Sequence, residues 1–356
     1  MNYRIASMLA SESATTPATK TIDVNLKKPI SRIVIQMKGT NSTSVPVAHP
    51  AKMVSKIELV DGSNVLFSLS GVEAQALNFY ERGRLPDGLM NYVANVMCAA
   101  TFELNFGRFL YDEVYAFDPT KFSNPQLKIT HNLALGGSTP TAATLSVFAH
   151  TWDEKEVAPI GFLMSKQQFS YTLAASAKEK IDLATDMPYR FLLIKSLTAG
   201  KNPHENYNKI KLSEDNDARV IINDEQTSDL VKLIQDYPRI VEGIMAHDLD
   251  EEETIFCTPS YLETVVGQGM DAADSALFAK QGYGGTFDAT GTASQNSQWI
   301  VTGFMPHGTL LIPFGKRDVP EDWYDATKVG SLALTITAGS GASGTVEILS
   351  QQVRKY

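Results

Sequence analysis

One pattern written twice constrains the fold of this chain more than anything else in it. Residues 56–83 read KIELVDGSNVLFSLSGVEAQALNFYERG, and residues 209–238 read KIKLSEDNDARVIINDEQTSDLVKLIQDYP. Each copy is a short alternating strand, a polar turn, a second short strand and an amphipathic helix. In the first, Ile57 and Leu59 alternate, Asp61-Gly62 turns the chain, Val65 and Phe67 alternate again, and a helix is expected from Ser70. In the second, Ile210 and Leu212 alternate, Ser213 to Ala218 form the turn, and Val220 and Ile222 precede a helix expected from Asn223. Ser70 with Glu73, and Asn223 with Gln226, have the spacing of a capping box, which satisfies the orphan amides of a first helical turn. Apolar residues then recur at helical spacing: Val72, Ala76, Phe79 and Tyr80 in one copy, Leu230, Leu233, Ile234 and Tyr237 in the other.

The likeness extends beyond the repeated unit. Ile22 and Pro29 are echoed by Ile181 and Pro188, both 159 residues on, and Ile57 by Ile210 at 153. Later, Phe106-Gly107-Arg108 matches Phe314-Gly315-Lys316 at an offset of 208, and Asp118, Thr120 and Lys121 match Asp325, Thr327 and Lys328 at 207. Leu127 and Ile129 match Leu334 and Ile336 at 207, and Thr144 to Val147 match Thr345 to Ile348 at 201. No one of these matches carries weight alone; their common order does. The step from 153 to 208 places an insertion of 55 residues in the second half, between the helix ending near Pro238 and a strand at Thr309 to Phe314. Gly, Ala, Ser, Thr and Asp dominate Gly267 to Gln298, a composition that does not build a core and predicts a long surface excursion, the whole insertion being read as a small domain hanging from one loop.

Short strands at close intervals, frequent Gly and Pro turns and few helices make the chain all-β. Seven or eight strands per half is the count of a jelly roll, so two tandem eight-stranded jelly rolls, each with one short helix in a connecting loop, is the expected fold. The competing reading is α+β with two mixed sheets. A length of 356 residues agrees with two cores. The expected division is a flexible N-terminal arm over 1–20, a first roll over 21–158 and a second over 159–356, with the excursion at about 239–308. Trp152 to Pro159 reads as the linker. Tyr3, Ile5, Met8 and Leu9 could give the arm one short amphipathic turn for docking on a partner.

Composition removes several function classes. Forty acidic against 31 basic residues give a net charge of −9, and no basic block exists to displace counterions from nucleic acid, so sequence-specific nucleic-acid binding is not expected. Cys98 and Cys257 are too few for a disulfide framework and read as buried free thiols. No apolar run reaches the ~20 residues of a membrane-spanning helix, and Met1 to Leu9 lacks a secretory apolar stretch, so a soluble, intracellularly made protein is expected. His49, His131, His150, His204, His247 and His307 stand apart, with no paired spacing for a metal. The acidic run His247 to Glu253 fails as a calcium loop: counted from Asp248, position six is Glu253 where Gly is needed and position twelve is Pro259 where Glu is needed. Gly267-Gln-Gly269 and Gly282 to Gly285 follow no apolar strand and complete no phosphate-binding pattern. Trp152, Trp299 and Trp323 are read as buried before they are read as sugar-stacking platforms. No catalytic, cofactor-binding or metal-ligating residue is assigned, and the chain is read as no enzyme.

Two tandem jelly rolls, a helix in a connecting loop, an excursion in one half and a loose N-terminus resemble the double jelly-roll major capsid proteins of tailless icosahedral viruses, from tectivirus-like phages to adenovirus hexons. The resemblance covers Thr21 to Tyr356 and is architectural. The phrases KIELVDGSNVLFSLSG and FGRFLYDEVYAFDPTKFSNPQLKITHN look most like the bacteriophage members. It implies a structural protein of the virion, made in the host cytoplasm, that forms homotrimers tiling an icosahedral shell. It further implies contacts with neighbouring capsomers, vertex (penton) and minor capsid proteins and an internal lipid membrane. On that reading the excursion is the outer tower or a trimer clasp, and the N-terminal arm and the tail Arg354-Lys355-Tyr356 lie at the inner face. The alternative from a different class is a carbohydrate-binding β-sandwich protein whose excursion is the recognition surface; a metalloenzyme on twinned barrels is a weaker third.

Overall fold

The computed structural model describes residues 1–234, 236–248, 252–269, 277–280, 282–291 and 295–356. Strands in the first half are β1 (Tyr3–Ser13), β2 (Ala18–Asp23), β3 (Ile30–Asn41), β4 (Val54–Asp61) and β5 (Asn64–Leu69). After helix α1 (Gly71–Arg82) come β6 (Met90–Asn91), β7 (Met97–Asn105), β8 (Pro125–His131) and β9 (Pro140–Trp152). The second half continues with β10 (Gly161–Thr172), β11 (Lys178–Leu183), β12 (Tyr189–Lys195), α2 (Pro203–Asn206), β13 (Tyr207–Glu214), β14 (Arg219–Gln226) and α3 (Thr227–Leu230). Next are β15 (Ile240–Asp248), β16 (Glu253–Phe256), β17 (Pro259–Gly269), β18 (Leu277–Lys280), β19 (Thr286–Gly291) and β20 (Gln295–Pro306). The chain closes with β21 (Thr309–Pro313), β22 (Leu332–Ala338) and β23 (Thr345–Lys355).

Sheet order shows the duplication directly. The arrangement β1-β9-β3-β7 recurs as β10-β23-β12-β21, and β2-β8-β4-β5 recurs as β11-β22-β13-β14. Each half is thus a pair of four-stranded sheets, the all-β double jelly roll expected from the repeat. Alternation builds each sandwich: Ile33, Ile35 and Met37 on β3 face Ile57 and Leu59 on β4 and Leu127 and Ile129 on β8 across the first core, all fully buried. The match persists at the level of single turns. Asp118 and Asp325 each cap a one-turn 3-10 helix by accepting from the amide and hydroxyl of Thr120 and Thr327.

The halves do not stand apart. β5 meets β10 in a parallel bridge, Ser68 opposite Lys166, so one sheet of each half joins into a continuous eight-stranded sheet. Every residue of β12 is buried. A strand covered on one face alone would alternate; the run Tyr-Arg-Phe-Leu-Leu-Ile-Lys does not, because its second face packs on the first half.

Four expectations change. The stretch read as a mobile arm forms β1, which extends the first half by pairing with β9, Tyr3 opposite Trp152 and Ala6 opposite Ala149. Its side chains are mostly exposed, so what holds it is the row of backbone groups on the β9 edge, a drive that side-chain periodicity does not report. Nor is Arg354-Lys355-Tyr356 a tail: β23 runs to Lys355, and the Tyr356 hydroxyl donates to the Ala116 carbonyl and accepts from the Asp118 amide.

The second helix begins at Thr227, not Asn223. Asn223 lies within β14, whose last residues Glu225 and Gln226 pair with Ile210 and Lys209; sheet pairing has outcompeted the cap. Leu230 ends α3 buried and Tyr237 is half-buried, while the side chains of Leu233 and Ile234 lie outside the described set. An additional one-turn helix, α2, starts where the Asn202 amide donates to Glu205.

Finally, the excursion does build a core. Strands β17-β20-β15-β6 form one sheet and β16-β19-β18 another. Between them Ile244, Ile255, Phe287, Trp299 and Val301 pack with Met90 and Tyr92 of the first half. Gly-rich composition misled here because a few large residues suffice when two small sheets share them.

Candidate assembly scaffold

Helix α1 is the element around which the halves are fixed. Its start is a true capping box: the Ser70 amide donates to Glu73 at 2.7 Å, and the Glu73 amide to the Ser70 hydroxyl at 3.4 Å. Gly83 ends it in the left-handed region, where a side chain would be strained. Eleven of its twelve residues are buried, so it is covered on every face rather than on one apolar stripe. Toward its own half, Gln75 and Asn78 donate to the Thr101 and Glu103 carbonyls of β7 at 3.3 and 2.6 Å. Toward the other half, the Tyr80 hydroxyl donates to the Thr309 carbonyl at 2.6 Å, Gln351 donates to Glu81 at 2.6 Å, and Lys195 stands 3.7 Å from Glu73. Lys195 also pairs with Glu347 at 2.5 Å.

Sequence spacing locates the helix and its apolar face. It does not show that Glu73, Gln75, Asn78 and Glu81 are buried too, since polar residues on a helix ordinarily face water. Each has a partner, as a buried polar group must. Burial pushes the Glu81 carboxyl above its ordinary value, opposed by Arg190 and by hydrogen bonds from Gln351, Asn105 and Asn78.

A second polar cluster sits where both halves meet the excursion. His49 and His307, far apart in sequence, come together with ring centroids 4.6 Å apart in an edge-to-face pair. The Ala51 amide donates to His49 Nδ1 at 3.0 Å, so the ring's hydrogen is on Nε2, 3.0 Å from the Thr258 hydroxyl. Thr258 in turn donates to Glu242 at 2.7 Å. His307 Nε2 lies 3.0 Å from the Gln75 side-chain oxygen. Burial, with Lys52 adding a smaller push, lowers His49 to about 3; burial, His49, Lys195 and Lys52 drive His307 well below its ordinary value. Both rings are neutral packing elements at neutral pH.

The other candidate residues are not brought together. His131 and His150 lie apart, His204 bonds to Tyr261, and His247 bonds to Asn296 at 3.0 Å. Among the described residues no three His, Cys, Asp or Glu side chains are placed to hold a metal ion. Of the acidic run, residues 249–251 lie outside the described set, and Glu252 sits 3.6 Å from Lys280. Gly267 owes its identity to Trp299, whose ring a Cβ would meet at 2.2 Å. Gly284, at φ +68, lies against the Thr198 carbonyl, 2.0 Å from any Cβ placed there. Cys98 and Cys257 are buried thiols, Cys98 pushed up to about 11 by burial. All three tryptophans are buried, so none offers the sugar-stacking platform a carbohydrate-binding reading would use.

The chain matches no protein-family model and no curated protein sequence. Its fold is shared with solved structures over their whole length. The major capsid protein P2 of bacteriophage PM2 superposes with a TM-score of 0.59 at 9% identity, covering 99% of this chain and 98% of that one. The major capsid protein STIV MCP gives 0.58 at 13% identity over 100% and 98%. The PBCV-1 virus capsid gives 0.58 at 11% over 99% and 94%. This chain has the double jelly-roll fold of viral major capsid proteins.

Proposed function

We propose that this protein is a viral major capsid protein, a structural component of the virion with no enzymatic task. The carrying observation is the full-length likeness of the chain to capsid proteins. The proposed division is a first sandwich over residues 1–158, β1 and β2 included, and a second over 159–356, with 239–308 as a tower. A chain with two similar sandwiches locked side by side by α1 is a third of a hexagon: three copies present six sandwiches, which tile sixfold positions in a shell. Homotrimers would pack against neighbouring capsomers, vertex proteins and minor proteins, around an internal membrane. The excursion adds a second core of its own strands with Met90 and Tyr92, which suits an outward tower. Size measurement with electron microscopy tests this. The expected particle is a trimer of about 117 kDa, three times 38.9 kDa, with a pseudo-hexagonal outline. A stable monomer that forms no lattice at high concentration would remove the proposal, and virions assembled without lipid would remove its membrane clause.

A further inference from the structure

Where the end of α1 meets loops of both halves, five arginines line one open pocket of about 400 Å³. Arg32 comes from β3, Arg82 from the last turn of α1, Arg84 from just beyond it, Arg108 from the loop after β7 and Arg317 from the loop after β21. Their carboxylate partners are too few. Glu103 serves both Arg32, at 3.5 Å, and Arg82. Asp112 takes Arg108 in a two-pronged contact at 2.6 and 2.9 Å. Asp318 is shared between Arg317, at 3.5 Å, and the fully buried Arg190, at 3.4 Å. Arg84 has no ion-pair partner among the described residues and is exposed. With Arg190 counted, six guanidinium groups meet Glu81, Glu103, Asp112 and Asp318, a surplus of two positive charges.

Such a surplus on a chain of net charge −9 is a local exception that the overall composition hides. Arg108 is taken up on all three nitrogens by Asp112 and the Asp318 carbonyl, so the N–H groups left for a ligand include those of exposed Arg84 and of Arg317, whose planar forks match phosphate. A phosphate monoester carries about −1.5 to −2 at neutral pH, which the surplus balances. The rim adds a second preference: Phe109 is 55% and Leu110 38% exposed beside the arginines.

We propose that this pocket binds a phosphate group carried on an apolar or ring-bearing molecule, the arginines holding the phosphate and Phe109 and Leu110 its substituent. The ligand chemistry is shared by soluble phosphate esters and by lipid headgroups, and the site does not depend on assembly of the chain into shells. The test is calorimetric titration of the full chain with phenyl phosphate and with inorganic phosphate, against acetate at equal ionic strength. Phenyl phosphate is expected to bind more tightly than inorganic phosphate, Phe109→Ala to abolish that difference, and Arg84→Ala with Arg317→Ala to weaken both by about tenfold or more. Both substituted arginines are at the surface, and Arg84→Ala alone serves should the double variant misfold. Flotation with phosphatidylcholine vesicles containing phosphatidic acid separates the sources. Flotation lost in the arginine variant assigns a lipid headgroup; titration without flotation assigns a soluble ester. Heat no greater than with acetate, or equal binding by the arginine variants, would overturn the proposal.

Discussion

His49 is held neutral by geometry before any question of charge arises. Its Nδ1 accepts from the Ala51 amide, so a second proton would have to displace that donor on a residue only 4% exposed. His307 has a free Nδ1, but it is buried and faces Lys195 and Lys52 as well as His49. Folding therefore depresses both values, and the unfolded chain, titrating near 6.5, binds more protons below that pH than the folded chain does. Stability contributed by the pair is complete above about pH 6.5 and is lost as pH falls toward 3. By pH 5 the loss from His49 alone is expected to be about 2 kcal/mol, with His307 acting in the same direction. Glu242 and Glu81, whose values burial raises, work in the opposite direction, so the variant comparison isolates the rings. Denaturant unfolding at pH 7 and pH 5 should show His49→Gln less stable than the parent at pH 7 yet less sensitive to acid. Equal slopes in parent and variant would show that His49 does not hold this role. Nothing in the six separated histidines announces the pair, because contact between residues 258 positions apart is a property of the fold.

At the scale of elements, what periodicity could report it did report, and what depended on neighbours it could not. The α1 boundaries follow from Ser70, Glu73 and Gly83, all local signals. The shifted second helix and the paired β1 are decided by edges supplied from distant sequence: β13 claims Glu225 and Gln226, and β9 claims Tyr3–Ser13. The excursion hides its core for a related reason, since Trp299 and Phe287 acquire their partners Met90 and Tyr92 from the other half. A consequence follows for β1. Deleting residues 1–13 would uncover a long β9 edge and the tilted ring contact of Tyr3 on Tyr111, 4.1 Å between centroids. Uncovered edges recruit other chains. The truncated chain should therefore unfold at lower temperature and scatter light at concentrations where the full chain does not. Unchanged melting and clear solutions would mean that the pairing of β1 adds nothing.

For the whole molecule, the question is whether a duplicated chain has two independent halves. One contiguous apolar cluster runs from Ala14 through α1 to Leu349, so the two sandwiches share a core across their junction. Polar groups at that junction have partners on both sides of it: Lys195 of the second half stands between Glu347 of its own half and Glu73 of the first, and Gln351 between Arg190 of its own half and Glu81 of the first. Separating the halves would expose the apolar second face of β12 and break the Tyr80–Thr309, Gln351–Glu81 and Lys195–Glu73 contacts, a loss of about 1–3 kcal/mol for each. That is a large part of the 5–15 kcal/mol that ordinarily holds a domain folded, by an order-of-magnitude comparison. Residues 159–356 expressed alone should accordingly fail to give a cooperative thermal transition, while the full chain gives a single transition for both sandwiches. Independent cooperative unfolding of the fragment would show instead that each half is a complete folding unit. Rigidity of this kind is what a shell tile requires, since an angle between sandwiches that varied from copy to copy could not repeat across a lattice. The repeat supplies the sandwiches, and Glu73, Tyr80 and Glu81 of α1 tie them together.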